Sequence, residues 1–391
     1  MRRLMLVGAV VIVAVSAVVV SGASSAGSVQ SRWVIRDLGT LGGPYSEAHV
    51  ITERAQVVGE STTGATEGAS GKLVWRTFLW EQGRIRRLPG GKVIVGNRLL
   101  AKSRVTGLRC SPGYPQIDVN AVNAGGDVVG GCWATPNGPS RAVLWRGGRV
   151  IDLGLPRKRG AATMATATAI NDRGQVVGYS FSRSGPYERA FLWEDGKVTD
   201  LGAWEPVAIN NRGHVIGYSE IGISDGMGRS FLWHNGKTTD LGRQTQVVAI
   251  NERGQVIAAT APADHPGATL WEGGTHALLW QAGKRTDLGT LGGPDAWSSP
   301  VAINDQGQIV VNSYTARKAP SGRDNPRAFV WQDGTVTRLV GLAGNEPTRI
   351  SGAASINNLG QIAGWSNTGK PSPGTGQDPP FHAVLWTLRS G

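Results

Sequence analysis

Two short patterns of apolar and polar residues alternate along the chain. The first is represented by Ala169–Ser180 (AINDRGQVVGYS), in which an apolar pair, an Asn-x-x-Gly turn and an alternating β-branched run follow one another. The second is represented by Arg189–Gly202 (RAFLWEDGKVTDLG), in which Trp-x-x-Gly separates two further alternating runs. Alternation with period two between tight-turn residues predicts β-strands. Each unit therefore predicts four short strands, and no repeat shows helical periodicity.

The first pattern occurs seven times. Its other copies are Ala208–Ser219, Ala249–Thr260, Ala302–Ser313, Ser355–Ser366, Val122–Gly131 and the more altered Ile51–Ser61. The tryptophan of the second pattern recurs in the same seven units, as Trp80, Trp145, Trp193, Trp233, Trp280, Trp331 and Trp386. A repeat of about 40–50 residues with glycine-rich turns is typical of a β-propeller blade and not of a helical solenoid. Repetition at one position indicates that these tryptophans pack in the core.

The two ends of the chain complement each other. Trp33–Gly39 (WVIRDLG) resembles a fourth strand and precedes the first unit, whereas the seventh unit has no fourth strand after Trp386. Arg36–Pro44 also nearly repeats the sequence of Arg285–Pro294. A closed ring protects its sheet edges, which an open array would leave exposed. The sequence therefore predicts an all-β, closed seven-bladed β-propeller with four antiparallel strands per blade, the last blade being completed by the N-terminal strand.

Composition agrees with an all-β chain. The 57 glycines and 20 prolines exclude a mainly helical protein, because both residues disfavour helix interiors. With 40% hydrophobic and 17% charged residues, the chain is not a highly charged disordered one. The net charge is +12, and the basic residues are spread along the chain. This charge can attract anionic polymers, or it can reflect only solubility and cross-strand ion pairs.

The first 26 residues have the three parts of a secretory signal. Met1–Arg3 is basic, Leu4–Val20 carries no charge, and Ser21–Ala26 supplies small residues for cleavage after Ala23 or Ala26. An uncleaved membrane anchor is the alternative, since the apolar run is close to the minimum for spanning a bilayer. We expect cleavage, an extracellular mature protein of residues 27–391 with no membrane association, and a charge that falls from +12 to +10 as Arg2 and Arg3 are lost.

Cys110 and Cys132 are the two cysteines of the chain. In an oxidising compartment an even pair is expected to form a disulfide. Two cysteines at this spacing are too few for a metal site, so the sequence predicts a Cys110–Cys132 bridge that joins the long insert before the second blade to that blade's second strand.

A cation stands four residues before each repeat tryptophan. These cations are Arg76, Arg141, Arg189, Arg229, His276, Arg327 and His382. Seven residues after the tryptophan stands an aspartate in four units, and Asp37 is expected to serve the last blade; the four are Asp152, Asp200, Asp240 and Asp287. Because these positions face each other across a hairpin, we expect five cross-strand ion pairs. Arg87 and Arg338 replace the aspartate in blades 1 and 6, which predicts excess positive charge on both sides of the closing blade.

The repeat unit resembles the HAF repeat of secreted bacterial proteins, named for His-Ala-Phe before Leu-Trp. The motif stands here as Arg189–Trp193 (RAFLW), His276–Trp280 (HALLW) and His382–Trp386 (HAVLW). The resemblance covers nearly all of residues 33–386. It implies an extracellular location and a repeat fold, and it implies no particular activity.

One face of the predicted ring carries the variable loops. Turns between strands one and two and between strands three and four are short and uniform, whereas the other connections differ in length and sequence. A rigid scaffold with one variable face is the usual layout of a binding surface. Four tryptophans outside the repeat positions lie in or beside these loops and are the ligand-binding candidates, with packing at blade junctions as the alternative: Trp133, Trp204, Trp297 and Trp365.

The metalloprotease motif HExxH is absent from the sequence. The acids predicted on the loop face are scattered among blades, namely Glu60, Glu67, Asp264, Asp295, Asp324 and Asp378. We therefore expect a non-catalytic, monomeric binding or scaffold protein that engages a glycan, a cell-surface polymer or a secreted protein, with no cofactor, no metal and no nucleic-acid partner. The alternative is an extracellular propeller enzyme, a glycan hydrolase or lyase, with its site at the channel mouth.

Overall fold

The computed structural model describes residues 32–67, 71–88, 92–95, 98–101, 107–135, 138–154, 164–182, 185–219, 228–261, 275–292, 296–314, 326–344, 350–369 and 379–389. All secondary structure within these ranges is β. The proposed signal segment, residues 1–26, and most of the variable loops lie outside them.

Seven four-stranded antiparallel sheets form the blades of the propeller. Blade 1 contains β2 (Gly42–Ile51), β3 (Val57–Glu67), β4 (Lys72–Glu81) and β5 (Arg84–Arg87). A two-stranded hairpin follows, made of β6 (Lys92–Val95) and β7 (Arg98–Ala101). Blade 2 contains β8 (Gln116–Val122), β9 (Val128–Trp133), β10 (Ser140–Arg146) and β11 (Arg149–Asp152). Blade 3 contains β12 (Met164–Ile170), β13 (Val176–Ser182), β14 (Gly185–Glu194) and β15 (Lys197–Gly202).

The next three blades follow the same order. Blade 4 contains β16 (Glu205–Ile209), β17 (Val215–Ser219), β18 (Arg229–His234) and β19 (Lys237–Arg243). Blade 5 contains β20 (Thr245–Ile250), β21 (Val256–Thr260), β22 (His276–Gln281) and β23 (Lys284–Asp287). Blade 6 contains β24 (Trp297–Ile303), β25 (Ile309–Tyr314), β26 (Pro326–Gln332) and β27 (Thr335–Arg338).

The seventh blade combines strands from both ends of the chain. Its first three strands are β28 (Ser351–Ile356), β29 (Ile362–Asn367) and β30 (Phe381–Arg389), and its fourth is β1 (Arg32–Gly39). β1 pairs antiparallel with β30, with Trp33 opposite Leu388 and Asp37 opposite Val384. The predicted seven-bladed propeller with a blade completed by the N-terminal strand is confirmed.

The hydrophobic core lies between blades. In one cluster, Val129 and Leu144 of blade 2 pack against Phe191 and Trp193 of blade 3. The repeat tryptophans are buried in five blades and partly buried in blades 4 and 5, as expected for packing residues. Trp386 is completely buried, and its indole N–H donates to the carbonyl of Val340 at 2.8 Å. Because each blade covers its neighbour, the sheets depend on the ring for burial of their faces.

An asparagine at the start of each Asn-x-x-Gly turn joins successive blades. In blade 3, Asn171 Oδ1 accepts the backbone N–H groups of Arg173 and Gln175, which fixes the turn. Its Nδ2 donates 2.9 Å to the carbonyl of Asn210, the equivalent residue of blade 4. The same donation to the next blade is made at 2.9–3.3 Å by Asn123, Asn210, Asn251, Asn304 and Asn357. Asn357 donates to Thr52 of blade 1, so this series links blade 7 to blade 1.

The residue after each asparagine forms a second series. Asp172 N donates 2.7 Å to Asn211 Oδ1 of blade 4, and Asp305 N donates 2.8 Å to Asn358 Oδ1 of blade 7. Asn358 N in turn donates to the carboxylate of Glu53 in blade 1. Two concentric sets of hydrogen bonds therefore bind the turns into one rigid face.

Both series are interrupted between blades 1 and 2. Thr52 replaces the asparagine, and its hydroxyl accepts only from its own turn among the bonds of the described residues. In the second series, the residue of blade 2 that would accept the Glu53 N–H is Ala124, whose side chain has no acceptor atom. The β6–β7 hairpin lies here instead: Arg98, Leu99 and Leu100 line a cavity of about 360 Å³ together with both turns.

The insert before blade 2 also covers the side of that blade that faces blade 1. Leu108, Cys110 and Tyr114 pack against Trp145, whose indole N–H donates 2.8 Å to the carbonyl of Arg109. Cys110 forms the predicted disulfide with Cys132 in β9, with the two Cα atoms 6.0 Å apart. The bridge thus attaches the insert to the second strand of blade 2, at the junction where the turn series is broken.

Removal of the N-terminal strand is expected to destabilise the whole ring. A chain that begins after Gly39 loses the partner of β30, the buried Trp33 and the Asp37–His382 contact. The exposed edge should cause aggregation and a large drop in melting temperature. Size-exclusion chromatography and thermal melting should be compared with a control chain that begins at Arg32. An unchanged melting temperature after removal of β1 would contradict closure by this strand.

Asn251→Asp tests the bonds between blades. Aspartate keeps the acceptor for the turn but cannot donate to Asn304 or to Gln255 Oε1, as Asn251 Nδ2 does. Because the site is 4% exposed, we expect a loss of roughly 1–3 kcal/mol in unfolding free energy.

The matched control is Asn235→Asp in a Trp-x-x-Gly turn. Asn235 has a φ of 49°, and Asp195 and Asp333 hold the same turn position at 46° and 48°. This second change should leave denaturant unfolding nearly unaltered. Equal losses in the two variants would show that the asparagine series contributes nothing special.

Candidate functional site

The antiparallel order of the strands places the two kinds of connection on opposite faces. The Asn-x-x-Gly and Trp-x-x-Gly turns share one face, which we call the turn face. The connections between second and third strands and between successive blades share the other, the loop face. Of the seven variable loops, all include residues outside the described ranges, so the loop face is defined here by the strand ends that support it.

Four aromatic side chains meet on the loop-face side of the junction between blades 7 and 1. Tyr45 stacks near Trp75 with ring centroids 6.4 Å apart, and its ring lies 5.1 Å from that of Phe381. Trp365 lies 5.7 Å from Phe381. Each of the four is half-buried. We call Tyr45, Trp75, Trp365 and Phe381 the aromatic cluster; its rings are held by one another and still reach solvent.

Local structure explains how the cluster is positioned. Trp75 and Phe381 occupy the same repeat position, directly before the cations Arg76 and His382. Trp365 is on β29, opposite Gly352 of the inner strand β28. A Cβ at Gly352 would lie 2.7 Å from the Trp365 ring, so only glycine lets the indole lie flat against the sheet.

The structure separates the four tryptophans predicted from the sequence. Trp365 belongs to the aromatic cluster. Trp297 is half-buried in blade 6 and stacks on Tyr314, with centroids 3.6 Å apart and an interplanar angle of 6°. Trp133 is half-buried at the end of β9, where it covers Gly131, and its indole N–H has no hydrogen-bond partner among the described residues. These three do not form a single site.

Trp204 is not a ligand-binding candidate, and here the structure corrects the expectation. It is 2% exposed, packs near Phe231 with centroids 6.0 Å apart, and donates its indole N–H to the carbonyl of Leu201 at 2.8 Å. Its place along the inner strand is that of Ser46 and Ser298, which are fully buried. Strand alternation therefore directs this side chain into the core.

Sequence reasoning missed three members of the aromatic cluster, Tyr45, Trp75 and Phe381. A signal for two of them was present. The position before the repeat cation is aromatic in blades 1 and 7 alone; elsewhere it is Ser140, Glu188, Gly228, Thr275 or Pro326. An aromatic substitution confined to two adjoining blades indicates a local surface and not a core position.

All five expected cross-strand pairs form, three as Arg–Asp ion pairs and two as His–Asp hydrogen bonds. Arg141 lies 2.6 Å from Asp152, and His276 and His382 each lie 2.8 Å from Asp287 and Asp37. The remaining pairs are Arg189–Asp200 and Arg229–Asp240. The second oxygen of each aspartate accepts the amide of the residue two positions later, for example Gly202 N at 2.9 Å. Because these side chains are partly exposed, we assign the pairs a modest contribution to stability and a larger one to strand geometry.

Blade 6 shows the effect of replacing the aspartate. Burial, and then the nearby Arg327 guanidinium, lower the pKa of Arg338. In blade 1 the corresponding Arg87 is exposed, and Arg76 donates to the carbonyl of Trp75. Arginine therefore lies beside the aromatic cluster and also in the blade that precedes blade 7.

One concavity lies on the turn face, away from the aromatic cluster. It measures about 920 Å³ and lies between β1 and the turns of blade 1. Its one aromatic, Trp80, is 6% exposed and is covered by the Arg36 guanidinium 5.9 Å above the ring. Repeat residues form most of this groove, so its shape follows from blade packing. We place the candidate binding site at the aromatic cluster because four half-buried rings meet there.

The sequence contains no recognisable metal motif, yet the described residues include one group of potential metal ligands. Side-chain donor atoms of Glu47, His49 and Glu60 lie within 4.8 Å of one another in blade 1. Of the six acids predicted on the loop face, Asp264, Asp295, Asp324 and Asp378 lie outside the described residues. Glu60, a member of this group, is exposed on β3.

Comparison with known proteins shows that the fold of this chain is similar to solved β-propeller structures. No family model and no curated protein matches the chain. Among solved structures, the β-propeller domain of the Trilobed protease from Pyrococcus furiosus is similar at 8% identity and a TM-score of 0.44, over 88% of this chain and 94% of that one.

Two other solved structures illustrate the range of similar propellers. A prolyl endopeptidase matches at 11% identity and a TM-score of 0.48, over 87% of this chain and 50% of its own. The SapL1 lectin, in complex with α-methyl fucoside, matches at 12% identity and a TM-score of 0.34, over 76% of this chain and 97% of its own. The present chain thus spans about half the length of such peptidases, and its fold is established by its own strand pairing.

Trp204 is buried and Trp297 is half-buried, so their replacement should change the free energy of unfolding by different amounts. Trp204→Ala should cost about 3–5 kcal/mol of unfolding free energy, because it leaves a cavity in the core. Trp297→Ala removes a half-exposed ring stacked on Tyr314 and should cost less than half as much. Urea unfolding of both variants measures the difference. Equal losses would mean that Trp297 is a packing residue as well.

Proposed function

We propose that the protein is a secreted, non-catalytic carbohydrate-binding propeller that holds its ligand against the aromatic cluster. The observation that carries this proposal is the meeting of Tyr45, Trp75, Trp365 and Phe381, all half-exposed, at one blade junction. Glycans, cell-surface polymers and secreted proteins were the partners indicated by the sequence. Among these, a run of solvent-accessible rings favours a sugar chain.

The physical basis is the shape of the two partners. A sugar ring offers a flat C–H face, and an aromatic ring can cover it with a large contact at little cost in conformational entropy. Here the rings are already fixed by stacking and by Gly352, so little ordering is required on binding. Arg76 beside Trp75, together with the net charge of +10 expected for residues 27–391, favours polysaccharides that carry carboxylate or sulfate groups.

Secretion is supported by the disulfide and by the character of the N-terminal sequence. Disulfides persist in oxidising compartments and are rare in the cytosol. Within the described residues, no helix has the length and apolar character needed to span a bilayer. Membership of the HAF-repeat family remains an expectation from the repeat motifs.

The alternative function is an extracellular propeller enzyme that cleaves glycans. It is favoured by one observation, the grouping of Glu47, Glu60 and His49, because glycan hydrolysis uses pairs of carboxyl groups. Product analysis of any bound polysaccharide, with Glu60→Gln as the comparison, tests it. Cleavage by the parent protein that is lost in Glu60→Gln would replace the binding proposal with this one.

A glycan array followed by fluorescence titration tests the binding proposal. The mature protein should bind acidic polysaccharides, with quenching of tryptophan fluorescence. Trp75→Ala and Trp365→Ala should each weaken binding about tenfold or more, since loss of about 1.4 kcal/mol corresponds to that factor.

Trp297→Ala is the matched control, because it removes a half-exposed tryptophan from the same face in blade 6. It should bind like the parent protein. Loss of binding in Trp297→Ala with retention in the two cluster variants would move the site to blade 6. Absence of binding to any glycan on the array, by a protein with normal melting, would overturn the proposal.

A further inference from the structure

In blade 1 two acidic residues face each other across neighbouring strands, at a position where no other blade has two acids. Strand pairing sets Glu47 of β2 directly opposite Glu60 of β3. The equivalent pairs contain at most one acid; they are Asp118–Gly131, Thr166–Tyr179, Glu205–Tyr218, Gln246–Ala259, Ser299–Asn312 and Gly352–Trp365. Like charges placed opposite each other destabilise a sheet. A cation between them would reverse the sign of this interaction.

A histidine completes the group. His49 Nε2 lies 3.1 Å from Glu47 Oε1, and donor atoms of all three residues lie within 4.8 Å of one another. The side chains of His49 and Glu47 are 49% and 35% exposed, so an ion can reach them from solvent. The hydrogen bond and the negative charge of Glu47, together with Glu60, raise the pKa of His49 against the opposing effect of burial. The surroundings of the imidazole are therefore electronegative.

The group lies on the side of blade 1 that faces blade 2. Ser46 and Ala48, the neighbours of Glu47 along β2, face blade 7: Ala383 N donates to Ser46 Oγ, and Ala48 packs in the blade 7–blade 1 cluster. Alternation directs Glu47 the other way. At the repeat position of His49, the residues of blades 2 and 3 hydrogen-bond to the next blade: Asn120 to Ala167 O, and Thr168 to Pro206 O. His49 instead contacts Glu47 of its own strand, at the junction where the turn series is interrupted.

We propose that Glu47, His49 and Glu60 form a binding site for a divalent transition-metal ion of the Zn²⁺ type. In a tetrahedral zinc site with bonds of about 2.1 Å, neighbouring ligand atoms are about 3.4 Å apart. The His49–Glu47 separation of 3.1 Å is close to this spacing. Three protein ligands leave a position for water or an exogenous group, and the site does not depend on the proposed glycan function.

Ligand chemistry distinguishes this ion from the common hard cations. An imidazole nitrogen suits Zn²⁺, Ni²⁺, Co²⁺ or Cu²⁺, whereas Ca²⁺ and Mg²⁺ prefer sites made entirely of oxygen. The two carboxylates and a neutral imidazole give the site a charge of −2, which a divalent ion would neutralise. A metal held there would also remove the repulsion between Glu47 and Glu60 in the folded state, so binding should raise the melting temperature.

Calorimetry and thermal melting of the tag-free mature protein with ZnCl₂ test the site. We expect one Zn²⁺ per chain and a higher melting temperature, with a much smaller response to CaCl₂ and MgCl₂. His49→Ala should abolish the Zn²⁺ response, and Glu60→Gln, which keeps the side-chain volume, should weaken binding about tenfold or more. A direct readout is loss of the His49 ring signals in the NMR spectrum when paramagnetic Co²⁺ is added.

His276→Ala is the matched control. His276 also contacts a carboxylate, Asp287, at 2.8 Å, but it has no second acid within the same donor group. This variant should bind Zn²⁺ like the parent protein. The proposal is overturned if Zn²⁺ neither binds nor shifts melting, or if His49→Ala binds normally. A loss in His276→Ala with normal binding in the other variants would assign the metal to a different histidine.

Discussion

The hydrogen bond on which the ring depends is made by one asparagine amide in each of six blades, blades 2 to 7. The carbonyl oxygen of the amide fixes the turn of its own blade, and the amide nitrogen donates to the same residue of the next blade. Turn geometry and blade spacing are therefore set by the two ends of a single buried amide. Because the amide is buried, loss of its acceptor would leave the N–H without a hydrogen bond to protein or water, which lowers the free energy of unfolding.

Departures from this repeat concentrate in blade 1. Thr52 replaces the linking asparagine, Arg87 replaces the aspartate of the ion pair, and Glu47 and Glu60 face each other where other blades avoid paired acids. A disulfide-bonded insert packs where direct contact with blade 2 would otherwise be expected. The asparagine hydrogen bonds join the blades at six junctions. The junction between blades 1 and 2 lacks them and can therefore vary in sequence. Both candidate sites use blade 1 because its residues are released from the pattern that the ring imposes elsewhere.

The fold and the ion pairs could be predicted from the sequence because both are periodic. An asparagine, tryptophan or aspartate that recurs at one repeat position is expected to have the same structural role in every blade. The Arg189–Asp200 ion pair is an example. The burial of Trp204 was also predictable, since its phase along the inner strand is that of the buried Ser46 and Ser298. Its absence from the repeat favours a position in a loop, whereas strand alternation, which decides the direction of the side chain, favours burial.

The candidate sites were less predictable because they depend on contacts that a period cannot reveal. Tyr45 and Phe381 are at opposite ends of the chain and meet only because β1 completes blade 7 and brings blade 1 beside it. Glu47 and Glu60 are opposed only in one register of β2 and β3, and a shift of one residue would place them on opposite faces. Both groups are carried by strands and not by the variable loops. Rings and ligands fixed in this way are ordered before any partner arrives, so selectivity at each of the two sites is set by the blades themselves, and the loops can only add to it.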